Sequence, residues 1–234
     1  MSGELEIGGT CIGGGGRPTI ALSVTDILDT GSVAVRMGNI IDRTSGLESF
    51  DAVCIRNDSG SPDAFAETVA IVASLWSGGL ILDSDDPAAI LMAAGQLGDR
   101  RPLITMGSSP GDGMMTAGML GCPVVVRSDS MEELMDLSAE ASGAGVGVAL
   151  DPAATNMKQC LERNTDLHRL ATRIPEADHP VVTRAWSGEY ALAMGTVSIV
   201  NHASLVILDD LDRDSCVVID RVSRSMGAAH AEAP

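Results

Sequence analysis

The stretch Leu80–Ala94, LILDSDDPAAILMAA, decides how the rest of the chain is read. It opens on a short apolar run, ends that run at Asp83-Ser84, and then sets Asp86-Pro87 ahead of Ile90, Leu91 and Ala94. An aspartate followed by proline is a helix start, because the carboxylate accepts a first-turn N–H and proline has no N–H to strand. The apolar residues that follow keep helical spacing. One strand, one polar turn and one helix make the unit.

The unit recurs along the whole chain. Candidate strands are Ile20–Thr25, Ala52–Ile55, Leu80–Leu82, Leu103–Thr105, Val124–Val126, Gly147–Leu150, Val181–Thr183 and Leu205–Leu208. Most lie about twenty to thirty residues apart, the length of a strand–helix unit. Ser61-Pro62-Asp63 opens a helix with Phe65, Val69, Val72 and Trp76 on one face. Ser130 with Glu133 forms a capping box before Leu134, Leu137 and Ala141. The strands are apolar without clear alternation, as expected when helices cover one face and a closed interior the other. Eight such units predict an α/β (β/α)8 TIM barrel over residues 18–226, with a doubly wound open sheet as the alternative. Residues 1–17 are expected to be a glycine-rich lead-in, with Gly13–Gly16 a flexible or turn segment, and 227–234 a frayed tail.

Composition narrows the function. Fifteen Lys and Arg against thirty-two Asp and Glu give a formal charge of −17, which repels phosphate backbones and anionic lipid. Two Trp, one Tyr and two Phe are too few for a surface of stacking rings. Neither nucleic acid nor membrane is expected as a partner. Cys11, Cys54, Cys122, Cys160 and Cys216 are far apart, with no C-x-x-C pair, so they read as reduced thiols of a cytoplasmic protein. No signal peptide is visible. The single lysine, Lys158, and the four scattered histidines leave neither a Schiff-base centre nor a metal site at the strand ends.

In a parallel barrel the chemistry sits where the strands end. The strand ends of this chain supply Asp26; Arg56, Asn57 and Asp58; Asp83 and Ser84; Ser108 and Ser109; Arg127 and Asp129; Asp151 and, a few residues on, Asn156; Arg184 and Trp186; Asp209 and Asp210. This set suits a neutral heterocycle rich in hydrogen-bonding groups. A carboxylate accepts two adjacent N–H groups of an aminopyrimidinone ring, and Asn or Ser closes the edge. Asp83 and Asp151 are the leading acids, although Asp83 is also placed to cap the next helix and Asp151-Pro152 to make a turn. Asp209-Asp210 reads as cap and loop charge.

Several segments carry a family resemblance. Phe50–Asp58 (FDAVCIRND), Asp99–Thr105 (DRRPLIT), Gly147–Ala171 (GVALDPAATNMKQCLERNTDLHRLA), Gly13–Pro18 and Ala203–Asp209 (ASLVILD) resemble the barrel domain of the corrinoid iron–sulfur protein large subunit family. Its members include the gamma subunit of the acetyl-CoA decarbonylase/synthase complex. The resemblance implies a barrel that moves a methyl group between a tetrahydropterin and a corrinoid cobalt. The family's N-terminal cysteine cluster and C-terminal corrinoid domain have no counterpart here, so no iron–sulfur cluster is expected in this chain, and corrinoid only through a partner. Leu82-Asp83-Ser84 and Asp151-Pro152 also resemble pterin-dependent methyltransferases, where such acids bind the pterin ring. That family's Asn after the fourth and seventh strands is replaced by Met106-Gly107-Ser108 and Arg184-Ala185-Trp186.

These readings imply a methyl-transfer barrel with Asp83, Asp151, Asn57, Ser108 and Asn156 around a tetrahydropterin. Its partner would be a corrinoid protein, the small-subunit barrel of the complex, or a second copy. Two alternatives stay open: a non-catalytic scaffold docking on a corrinoid iron–sulfur protein, and a barrel lyase or isomerase whose Arg127 and Arg184 clamp a carboxylate or phosphate.

Overall fold

The computed structural model describes residues 3–107, 110–186 and 190–231. A short antiparallel hairpin comes first, β1 (Glu4–Ile7) and β2 (Thr10–Gly13). Eight strand–helix units follow. The strands are β3 (Thr19–Thr25), β4 (Ala52–Arg56), β5 (Gly79–Asp83), β6 (Leu103–Thr105), β7 (Val124–Arg127), β8 (Val148–Asp151), β9 (Val182–Ala185) and β10 (Leu205–Leu208). Each is followed by a helix: α1 (Thr30–Thr44), α2 (Pro62–Leu75), α3 (Pro87–Ala94), α4 (Pro110–Leu120), α5 (Met131–Gly143), α6 (Met157–Ala171), α7 (Ala191–Val200) and α8 (Arg213–Ala231). Among the described residues no helix is long and apolar enough to cross a membrane.

The sheet is a barrel, not the open alternative. All neighbouring strands are parallel, and the first barrel strand pairs with the last, Leu205 to Leu208 of β10 against Thr19 to Leu22 of β3. Seven ladders join the strands in the order β8-β7-β6-β5-β4-β3-β10-β9. The eighth junction, β8 to β9, is a single bridge, Leu150 to Val181, with the Leu150 N–H donating to the Pro180 carbonyl at 2.8 Å. That seam is the thinnest part of the wall.

The capping signals behave as their chemistry requires. Ser61, Asp86 and Ser130 accept N–H groups of Ala64, Ala88 and Glu133 at the starts of α2, α3 and α5. Asp86 therefore caps α3, which leaves Asp83 uncommitted.

Strand residues that point outward, such as Leu22, Val53, Leu80, Leu82, Val126 and Val206, form one large core with the helices. Those that point inward, including Ala21, Cys54, Ile81, Leu103, Val125, Ala149 and Ile207, form a second, smaller core inside the barrel.

The glycine-rich lead-in carries a hairpin that the sequence reading does not name. Gly8 and Gly9 take positive φ values of 58° and 87°, the two-residue turn that suits a tight hairpin. This turn lets β1 and β2 fold under the barrel, where Ile7 and Ile12 are fully buried in the interior core. The charged Glu4 and Glu6, alternating with Leu5 and Ile7, conceal this role, because the alternation is only four residues long.

The barrel makes room for this plug. A side chain at Gly79 would meet Ile7 at 3.0 Å, and one at Gly147 would meet Leu5 at 2.9 Å. The Thr10 hydroxyl donates to the Asp51 carbonyl and accepts from the Gly79 N–H, each at 3.0 Å. Residues 232–234 of the expected tail lie outside the described residues, and at the far end α8 runs through Gly227 to Ala231. Gly227 allows this because a side chain there would come within 2.7 Å of Arg17 Cβ.

The plug generates a packing prediction. Gly79→Ala crowds Ile7 and should cost about 1–3 kcal/mol in urea unfolding. Part of that loss should vanish in an Ile7→Ala background, because the side-chain contact goes while the Ile7 carbonyl, 3.1 Å from the added Cβ, stays. Additive costs would mean that Ile7 does not fill the floor against Gly79.

Candidate functional site at the barrel mouth

The side chain two residues beyond an apolar interior position faces the same way. On every barrel strand that next inward residue is polar. Ala21 is followed by Ser23, Cys54 by Arg56, Ile81 by Asp83, Leu103 by Thr105, Val125 by Arg127, Ala149 by Asp151, Val182 by Arg184, and Ile207 by Asp209. The apolar interior thus ends in a ring of eight polar side chains at the C-terminal mouth. Three arginines face three aspartates, so the layer is neutral although the protein is strongly acidic.

Arg184 is the hub. Its side chain is 7% exposed, and its Nη1 lies 3.3 Å from both carboxylate oxygens of Asp83 on the far side of the barrel. Its Nη2 donates to the Thr105 hydroxyl. Its Nε lies 3.1 Å from Asp151 Oδ2 without the alignment of a hydrogen bond, and both atoms are buried with no hydrogen-bond partner. Burial opposes the charge on Arg184, but Asp83 and Asp151 outweigh it and raise its pKa. Burial pushes the Asp83 carboxyl up from its ordinary value, and Arg184 and Arg56 only partly pull it back. Asp151 and Arg184 stand on β8 and β9, so their pairing straddles the seam held by one backbone bridge.

Asp151 is fixed by its own turn. Its Oδ1 accepts the Ala153 N–H at 2.8 Å, while Arg163 of α6 donates to the carbonyls of Pro152 and Ala153 at 2.6 and 3.0 Å. Ala153 has a φ of 52°, a conformation that a non-glycine residue adopts at a cost of about 1–2 kcal/mol. The Asp-Pro turn and the inward carboxylate thus coexist, one oxygen serving each. Arg127 Nε lies 3.5 Å from the same Oδ2 that faces Arg184. An anion clamp built from Arg127 and Arg184 would therefore have to displace Asp151.

The remaining candidates divide. Asn57 donates to the Ser84 hydroxyl at 2.8 Å, and its buried Oδ1 has no donor. Asn156 is exposed and caps α6, its Oδ1 accepting the Gln159 N–H at 3.0 Å, so the structure does not bring it to the ring. Ser108 lies outside the described residues. Asp26 is a loop staple, accepting the N–H groups of Asp58 and Ser59 at 2.8 Å and the Ser59 hydroxyl at 2.6 Å. Among the described residues there is no group of three or more His, Cys, Asp or Glu side chains that could hold a metal ion.

A second cluster closes the other half of the mouth. Asp209 accepts from Arg56 at 2.7 Å and from Ser23 at 3.0 Å, and Arg56 also donates to Asp58 at 3.0 Å. Trp186 covers the Arg56 guanidinium, 4.7 Å from ring centroid to Cζ, a cation–π contact. Under the ring lies Cys54, fully buried, its thiol pushed well up by burial and by Asp83. Sequence reasoning missed this floor and the pairing of Arg56 with Asp209. The signal available for both was the apolar-x-charged spacing at the strand ends.

Arg184→Met would leave two inward carboxylates short of their counter-charge. It should cost about 3–5 kcal/mol by urea unfolding, and adding Asp83→Asn and Asp151→Asn should recover most of that loss. A single substitution within about 0.5 kcal/mol of wild type would show that the ion pairs do not form in solution.

Comparison with known proteins places this geometry. A family model described as CO dehydrogenase/acetyl-CoA synthase delta subunit matches residues 16–220. The corrinoid/iron-sulfur protein large subunit of Moorella thermoacetica is 28% identical over 200 residues, covering 81% of this chain and 45% of that protein. The acetyl-CoA decarbonylase/synthase complex subunit gamma of Methanothermobacter thermautotrophicus is 34% identical over 115 residues, 47% of this chain and 25% of that protein. The chain spans less than half the length of these relatives. Among solved structures, the dihydropteroate synthase of Xanthomonas albilineans in complex with 7,8-dihydropteroate superposes with a TM-score of 0.72 at 16% identity, over 99% of both chains. That of Coxiella burnetii in complex with pteroic acid gives 0.73 at 13% identity, over 97% of this chain and 100% of that one. These structural likenesses carry the fold alone; the match over residues 16–220 carries the family. The chain belongs to the CO dehydrogenase/acetyl-CoA synthase delta subunit family.

Proposed function

We propose that this chain is a methyl-transfer barrel of one-carbon and acetyl-CoA metabolism that binds a methyl-tetrahydropterin at its mouth and serves a corrinoid protein held by a partner. The observation that carries the reading is that Asp83 on β5 and Asp151 on β8, three strands apart around the barrel, meet at one guanidinium. Two carboxylates that grip a planar set of N–H donors have the chemistry to grip the guanidine-like edge of an aminopyrimidinone. Two buried acceptors without hydrogen-bond partners fit such a ring: Asn57 Oδ1, and Asp151 Oδ2, which is ion-paired with Arg184 and Arg127. Arg127, 30% exposed, is placed to donate to a ring carbonyl. The neutral ring of eight suits an uncharged heterocycle better than an anion.

A bound methyl-tetrahydropterin supplies the methyl group. The protein's part is positioning: Asp83 and Asp151 hold the ring edge, Asn57 accepts a further N–H, and the walls exclude water from the seat. Fixing the donor in one orientation removes much of the entropic barrier to transfer. The relatives' names, corrinoid/iron-sulfur protein and acetyl-CoA decarbonylase/synthase complex, support a corrinoid-bearing partner.

Isothermal titration with a methyl-tetrahydropterin tests the reading. The wild type should release heat at one site, and Asp83→Asn should weaken binding by about ten- to a hundredfold, the loss of a charge-assisted hydrogen-bond pair. No heat from the wild type would refute pterin binding and favour the scaffold reading.

A further inference from the structure

The seat between Asp83 and Asp151 is filled by the protein itself. Arg184 presents a planar fork of N–H donors, the pattern that the 2-amino and N3–H groups of an aminopyrimidinone present. Its Nη1 lies equally far, 3.3 Å, from both oxygens of Asp83. Its Nε faces Asp151 Oδ2 at 3.1 Å, but the two do not align, so that half of the contact is unfinished. At 3.3 Å the Asp83 contacts are also longer than a well-formed charge-assisted bond of about 2.7–2.9 Å. The fork therefore fits the seat, but loosely.

We propose that Arg184 is the resident occupant of the ring-edge seat, so that guest and guanidinium compete for Asp83 and Asp151 and Arg184 sets which ligands can enter. The inference rests on the pterin reading above. A guest gains the two carboxylates only when Arg184 withdraws. Its apparent affinity is then its intrinsic affinity reduced by the fraction of molecules in which the seat is open. The exchange discriminates between ligands. A ring with a guanidine-like edge repays the carboxylates for the lost arginine, whereas a ring without that edge leaves both buried and unpaired. Thr105, the third partner of Arg184, helps hold the occupied state.

The test uses Arg184→Ala with two probes, methylguanidine and a methyl-tetrahydropterin, titrated separately and in competition. Methylguanidine should bind the variant and not the wild type. The pterin should bind the variant about tenfold or more tightly than the wild type, and each probe should displace the other. Arg184→Lys keeps the charge that folding needs but lacks the fork; it should also bind the pterin more tightly than the wild type. Weaker pterin binding by both variants would mean that Arg184 holds the ring, which overturns the competition and leaves the pterin reading standing. Absence of pterin binding by wild type and variants alike would overturn both.

Discussion

A buried guanidinium shared by two carboxylates governs this molecule. Arg184 reaches from β9 across the barrel to Asp83 on β5, and its neighbour across the seam is Asp151 on β8. Burying one such charge unpaired costs several kcal/mol, so Arg184 can leave the two carboxylates only when another donor takes its place. The β8–β9 junction has only one backbone bridge, and the same pairing ties it from the inside. The closure of the wall and the composition of the mouth are thus one constraint.

The barrel is divided along its axis by polarity. The hairpin plugs the N-terminal end with Ile7 and Ile12, and the small or absent side chains of Ala21, Ala52, Gly79 and Gly147 leave it space. Cys54, Ile81, Val125 and Ile207 continue the apolar interior toward the ring of eight. A dry floor under a neutral charged layer strengthens every hydrogen bond in that layer, because the local dielectric is low. The same floor penalises any carboxylate left without a partner. Selectivity at this mouth follows from which guests can satisfy Asp83 and Asp151 when Arg184 gives way.

The fold was legible in sequence because it depends on local signals. Continuous apolar runs, capping residues such as Ser61, Asp86 and Ser130, and first-turn prolines each fix one unit without reference to the others. Eight repeats favour closure over an open sheet, and the β3–β10 ladder and the β8–β9 bridge decide it. The hairpin was not legible, because its value lies in long-range packing: Gly8-Gly9 carries no hairpin signal until Gly79 is known to face Ile7. The site was half legible. Strand ends identified Asp83, Asp151 and Arg184, but not that the arginine lies between the acids. Inward side chains alternate with outward ones, so Val182-x-Arg184 beside Ile81-x-Asp83 and Ala149-x-Asp151 held that signal in the spacing of apolar and charged residues. Asn156 misled for the opposite reason. It follows a strand, yet the helix start it caps determines its orientation.

The most direct measurement is a crystal structure of the protein with a methyl-tetrahydropterin bound. The ring should lie in the barrel mouth, its amino-pyrimidinone edge on Asp83 and Asp151, with the Arg184 guanidinium moved out of that seat. A ring bound elsewhere on the protein, with Arg184 still between the two carboxylates, would contradict that placement.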